Sequence, residues 1–197
     1  MEITGLFQVL AEIIPLSENL KEALQAIIRE KKYPRKSLLL EEGSINRHIY
    51  FVKEGFCRGY YYKNGKDYTT WFMGQGNMVI SVYSFFTQRP SAETIEILED
   101  CILQYISYQD LQMLYKCFPE FNVVGRILTE KYYILSEERA LALRTLSAKD
   151  RYENLIKAYP EILQKATLGQ IASHLGITQE TLSRVRGKYL ASTDGAC

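Results

Sequence analysis

The sequence predicts an α+β chain in three parts: an N-terminal β jelly-roll barrel, a long interface helix and a C-terminal helix-turn-helix domain. Three observations carry this. Short apolar or alternating runs broken by turn residues fill Ser37 to Tyr108. From Glu120 to Leu146 the only Gly or Pro is Gly125, so one long helix is expected there. After Ala148 two short helical periods meet at Gly176. The expected divisions are residues 1–118, 119–147 and 148–197.

Taken in order, Thr4 to Lys32 places Leu6, Leu10, Ile13, Leu20, Leu24, Ile27 and Ile28 at helical spacing, interrupted by Pro15. Ser17 is a candidate N-cap for the second run, because its hydroxyl can accept from an unpaired first-turn N–H. Strands are then expected at Leu38–Leu40, Ile49–Val52, Phe56–Tyr62, Tyr68–Met73, Val79–Val82 and Thr94–Tyr108, the last broken at Glu99-Asp100. Lys63-Asn64-Gly65-Lys66 is the most specific hairpin signal, since Asn-Gly tolerates the positive φ values of a type I′ turn. Many short strands with tight turns imply a small barrel or jelly roll. Ala191 onward has no periodicity and reads as a frayed tail.

On the long helix, Val124, Leu128, Tyr132, Leu135, Ala142 and Leu146 follow a 4,3 spacing, with Arg139 breaking the seam. Such a strip either packs on the barrel or pairs with its copy in a homodimer. The dimer is the expectation carried forward, with Val124, Leu128, Tyr132, Leu135, Arg139 and Ala142 at the interface.

Composition narrows the chemistry. With 47% hydrophobic and 24% charged residues among 197, the chain can bury a sizeable core. No apolar run reaches the roughly 18 residues of a membrane span, and the first residues lack a signal-peptide plan, so a cytoplasmic location and no membrane partner are expected. Cys57, Cys101, Cys117 and Cys197 are scattered without C-x-x-C spacing, which argues against disulfides and metal knuckles. A metal-dependent barrel enzyme needs several converging histidines, and His48 and His174 are the chain's only two. No Gly-x-Ser-x-Gly elbow accompanies them. Neither catalytic residues nor a cofactor or metal is expected. Lys and Arg number 24 against 23 Asp and Glu, so any polyanion site must be local.

Such a site exists near the end of the chain. In Thr167 to Arg186, Ile171, Ala172 and Leu175 form the inner face of a first helix. Gly176 can adopt the turn conformation denied to bulky residues, and Ile177 fills the corner. Thr178 can cap a second helix whose inner face is Leu182 and Val185. The outer side then presents Gln179, Glu180, Thr181, Ser183, Arg184 and Arg186, side chains suited to base edges and phosphates in a major groove. From Gln164 to Leu190, Lys165, Arg184, Arg186 and Lys188 stand against Glu180, a local net of +3. Arg184, Glu180 and Gln179 are expected to read bases, while Arg186, Lys188, Thr178 and Ser183 position the helix on double-stranded DNA. The alternative is a ligand-binding or protein-interaction module with a degenerate helix-turn-helix.

The order of these parts resembles the Crp/Fnr family of bacterial transcription regulators. Leu39-Leu40-Glu41-Glu42-Gly43 followed by Ile49-Tyr50-Phe51-Val52-Lys53-Glu54-Gly55 is similar to the start of its cyclic-nucleotide-binding domain, and the likeness runs from about Lys36 to Tyr189. Gln179-Glu180-Thr181-Leu182-Ser183-Arg184 is similar to the family's Arg-Glu-Thr-Val-x-Arg recognition segment, with Gln179 in place of arginine. The resemblance implies a winged helix-turn-helix, a homodimer on a palindromic site, and RNA polymerase as a further partner. It places a ligand pocket at Asn77, Met78, Ser81, Arg89, Ser91 and Ala92.

That pocket departs from the family's cyclic-AMP binders. Gly76-Asn77-Met78 lacks the acid that would meet a ribose hydroxyl, and no Asp or Glu occurs from Tyr68 to Ala92. Pro90 stands before Ser91-Ala92, with Arg89 displaced by one position. Cyclic AMP is therefore not the expected effector; the effector is left open, including none.

Overall fold

The computed structural model describes residues 5–194, with side chains through 189. Contacts divide the chain into two units: residues 1–59 with 72–132, and residues 60–71 with 133–197. This cuts across the expected boundaries, because the tip of one barrel hairpin belongs with the C-terminal helices.

In the first unit, α1 (Leu6–Ile13) and α2 (Glu18–Ile27) lead into the sheet. Ser17 caps α2 as its position suggests, its hydroxyl accepting from the Leu20 N–H. The strands are β1 (Arg29–Tyr33), β2 (Leu38–Leu40), β3 (His48–Lys63), β4 (Lys66–Gly74), β5 (Met78–Val79) and β6 (Glu93–Ser107). Their main path runs β1-β6-β3-β4, with β2 also on β6 and β5 on β3. The pairs β1–β6, β2–β6 and β3–β5 are antiparallel, as a jelly roll requires.

Four local differences from the sequence reading have physical reasons. Residues 29–33, expected at the end of a helix, form β1, a charged and mostly exposed edge strand. Glu54-Gly55 and Glu99-Asp100 do not end strands: β3 and β6 run through them, because Gly55 lies at φ +101° against the Asp100 carbonyl. The segment after Val79 turns into α3 (Val82–Thr87), anchored by fully buried Phe85. The last helix continues to Asp194, past Ala191; the rest of the expected tail, with Cys197, lies outside the described residues.

A single apolar core gathers Leu6, Leu10, Leu20 and Leu24 from the first two helices with Phe51, Phe85 and Ile106 from the barrel. Buried Gln104 fixes α1 above it, its side-chain oxygen accepting from the Leu6 N–H at 3.1 Å. After β6 come α4 (Tyr108–Cys117), opened by a Ser107/Asp110 capping box, and α5 (Phe121–Thr145).

The first half of α5 corrects the expected seam. Val124 is 1% exposed inside its own core, and Leu128 and Tyr132 pack against that core. The Met78 N–H also donates to Tyr132 Oη at 2.6 Å. Val124, Leu128 and Tyr132 therefore mark the face that the first half of α5 turns toward its own barrel, while Leu135, in the same spacing, is exposed. Val123, Ile134 and Leu141 are exposed instead, on a face roughly 130° around the helix at about 100° per residue.

In the second unit, α6 (Ala148–Ala158), α7 (Ile162–Lys165), α8 (Leu168–His174) and α9 (Gln179–Asp194) follow the C-terminal half of α5. Tyr152, Leu155, Ile162, Ile171, Ala172, Leu175, Leu182 and Val185 form their buried face. Among the described residues no strand follows β6, so these helices carry no wing of their own.

Candidate nucleic-acid interface and barrel interior

The helix-turn-helix is built as its residues suggest. Thr167 caps α8 in a capping box with Gln170. Gly176 turns at φ +65°, and the Ile177 N–H returns to the Ala172 carbonyl at 3.0 Å. Thr178 Oγ1 accepts from the Thr181 N–H at 3.2 Å, capping α9, while Leu182 and Val185 seat that helix on its neighbours. Arg151 braces the turn: its Nε donates to the Leu175 carbonyl at 3.0 Å and its Nη1 to that of Leu146 at 2.6 Å.

Thr178, Gln179, Glu180, Ser183, Arg184 and Lys188 are exposed. Positions 180, 184 and 188 lie four residues apart on one side of α9. Arg184 Nη2 donates to Thr181 Oγ1 at 3.3 Å, which holds its guanidinium along that side. Gln179 folds back over α8, where the missing side chain of Gly169 leaves room: a Cβ there would lie 2.9 Å from Gln179 Nε2. Arg186 differs from its neighbours. It is half-buried and hydrogen-bonded to the Tyr152 phenol, whose pKa burial raises while the arginine opposes that shift. It braces α9 on α6 rather than standing with the outer row.

The same unit holds a contact that sequence reasoning missed. The edge strand β4 meets α8, where the Thr69 N–H donates to Ser173 Oγ at 3.0 Å and that hydroxyl donates to the Asp67 carbonyl at 3.1 Å. Arg139 Nη1 donates to the Thr70 carbonyl at 3.0 Å, and His174 bonds the same backbone group. Burial pushes the His174 pKa down to about 4, assisted by the charge of Arg139 and opposed by the Thr70 bond. These side chains satisfy an open strand edge. The signal was spread over partners about a hundred residues apart, so no local pattern could reveal it.

In the first unit, Ser81, Ser91 and Asn77 of the expected ligand residues are engaged by other groups of the chain. Ser91 Oγ donates to the Glu93 carbonyl at 2.9 Å and lies 3.0 Å from Ser81 Oγ; with Ser91's one proton so placed, Ser81 is the donor between them. Both hydroxyl protons are thus consumed within the chain. Asn46 continues the knot, accepting from the Ser81 N–H at 2.7 Å, while the Asn46 N–H donates to Ser84 Oγ at 2.9 Å. Asn77 spends its amide on the Gly74 and Gln75 carbonyls. Arg89 and Ala92 are exposed, and Met78 is a core residue.

Met78 alone of the six lines an apolar cavity of about 70 Å³ walled by Leu6, Leu10, Leu24, Phe121 and Val124. Ligand pockets are typically about 300–1,000 Å³, several times the size of this space. Nor do the described residues contain a cluster of three or more metal-ligating side chains.

Comparison with known proteins supports this geometry. Residues 30–116 match the cyclic nucleotide-binding domain. The anaerobic regulatory protein of Haemophilus influenzae is 27% identical over 187 residues, covering 88% of this chain and 72% of its own. The regulatory protein HlyX of Actinobacillus pleuropneumoniae is 26% identical over 190 residues, covering 90% and 78%. Among solved structures, FixK2 from Bradyrhizobium japonicum superimposes with a TM-score of 0.73 at 17% identity, over 85% of this chain and 86% of that one. Residues 30–116 thus match a cyclic nucleotide-binding domain, and over most of its length the chain is similar to bacterial regulatory proteins.

Proposed function

We propose that the chain works in the cytoplasm as a homodimer that reads a palindromic double-stranded DNA site through α9, has no enzymatic activity, and does not take cyclic AMP as its effector. The observation that carries this reading is the exposed row of Gln179, Glu180, Ser183, Arg184 and Lys188 on a helix capped by Thr178 and seated by Leu182 and Val185. Arg184 suits guanine, Glu180 a cytosine amino group and Gln179 an adenine edge. Thr178, Thr181, Ser183 and Lys188 serve the phosphates, and Arg186 holds the helix that bears them.

Val123, Ile134 and Leu141 give α5 the apolar stripe for pairing, and two recognition helices then enter successive major grooves about 34 Å apart. The consumed hydroxyls of Ser81 and Ser91 and the exposed position of Arg89 support a barrel that does not hold a cyclic phosphate. RNA polymerase is the partner such a regulator acts upon. The test is Arg184→Ala: operator affinity should fall by about 1–3 kcal/mol in a titration at fixed salt, with discrimination lost at one base pair of each half-site. Unchanged affinity and base preference would remove Arg184 from the reading set.

A further inference from the structure

The C-terminal helices carry no strand among the described residues, yet a β-hairpin stands beside them. It is the tip of β3–β4, with Asn64 at φ 54° and Gly65 at φ 77° in its turn. The hydrogen bonds of Ser173 to Asp67 and Thr69, and of Arg139 to Thr70, fasten it to the helix-turn-helix unit. Its position relative to the reading helix is therefore set by side chains of α8 and α5, not by the turn alone.

Beyond those clamps the hairpin is exposed and basic. Lys63, Asn64, Gly65 and Lys66 are all exposed, and neither lysine has an ion-pair partner among the described residues. Tyr62 and Tyr68 flank them at 58% and 48% exposure, too open for a packing role. Asp67, the one nearby acid on the arm, is half-buried and engaged. Gly65, Lys66, Asp67 and Tyr68 line one wall of an open cleft of about 730 Å³, and the opposite wall includes Thr178 and Gln179 at the start of α9. Lys66 thus stands on the rim of the cleft that the start of α9 borders, with Lys63 across the same two-residue turn.

We propose that this hairpin is a second DNA-contacting element, taking the part of a wing: Lys63 and Lys66 bind backbone phosphates flanking the half-site read by α9. The assignment rests on the DNA-reading role proposed above and extends it to the barrel. Point charges on flexible stems at a β-turn suit phosphates, which position a protein without reading sequence. The arm therefore adds affinity and salt dependence, and leaves base preference to α9.

The experiment uses the full chain and the Lys63→Gln/Lys66→Gln variant, each titrated with a duplex selected from a random pool, over a salt series. Each phosphate contact contributes about 0.9 to the slope of log affinity against log salt, so the variant's slope should be shallower by about 2 per bound protomer. Ethylation of the flanking phosphates should interfere with the parent protein and not with the variant. The Lys63→Arg/Lys66→Arg chain keeps the charges and should keep the parent slope, which separates charge from any effect on folding. Equal slopes for the parent and glutamine chains, or an arginine chain as shallow as the glutamine one, would overturn the arm's role while leaving α9 as the reader. A parent chain that binds no duplex at all would overturn the proposed function and the arm together.

Discussion

At Gly55 the backbone sits at φ +101°, and a Cβ built there would lie 2.6 Å from the Asp100 carbonyl oxygen and 2.5 Å from Cys101 Sγ. The backbone oxygen cannot step aside as a flexible side chain can. Gly55→Ala should therefore cost about 2 kcal/mol or more in a urea unfolding titration, combining positive-φ strain with overlap. A loss below about 0.5 kcal/mol would mean the two strands can part freely. At the same scale, Ser17, Thr178 and Gly176 were legible in the sequence, because a cap or a turn is decided within a few residues. Arg139 was not. Its place in a 4,3 repeat suggested an interface, whereas its guanidinium serves the Thr70 carbonyl, 69 positions away in the chain.

Among the elements, β1 and α3 were misread for opposite reasons. Strand β1 is Arg-Glu-Lys-Lys-Tyr, with four exposed residues in a row; an edge strand of this kind has no alternation to read, and only its pairing with β6 defines it. Helix α3 is Val-Tyr-Ser-Phe-Phe-Thr, a composition that favours strands, and burial of Phe85 and Ser84 overrides the preference. Helix α5 was legible in length but not in phase, since a periodic stripe does not say which partner covers it. The contact between β4 and α8 yields a pH dependence. His174 has an ordinary pKa of 6.5 that burial lowers to about 4, so between those values the unfolded chain binds the extra proton. Stability is intact above about pH 6.5 and is lost as pH falls toward 4, by up to about 3 kcal/mol from this residue. His174→Gln should unfold with a smaller loss between pH 7 and pH 4.5 than the parent chain; equal losses would show that the imidazole is not held neutral.

At the scale of the whole molecule, a chain with a net charge of +1 still carries a local excess of basic side chains on the recognition helix, where Arg184, Arg186 and Lys188 stand against Glu180. Self-association is expected to depend on the exposed stripe of α5, and not on the residues it turns to its own core. Ile134→Glu/Leu141→Glu should give monomers by light scattering while retaining the parent's far-ultraviolet circular dichroism; a dimer that survives both charges would place the interface elsewhere. A monomer would also lose the paired geometry that a palindrome requires. The barrel's domain type is legible in its glycines and strand rhythm, but the hydrogen bonds among Ser81, Ser91 and Asn46 are recorded by no motif. The central claim, that α9 reads a palindromic site without cyclic AMP, is tested most directly by selecting bound sequences from a random duplex pool with and without that nucleotide. The expected result is one palindromic consensus, with half-site centres about ten base pairs apart or a multiple of that, enriched equally in both conditions. Enrichment only in the presence of cyclic AMP, or a consensus with no symmetry, would contradict it.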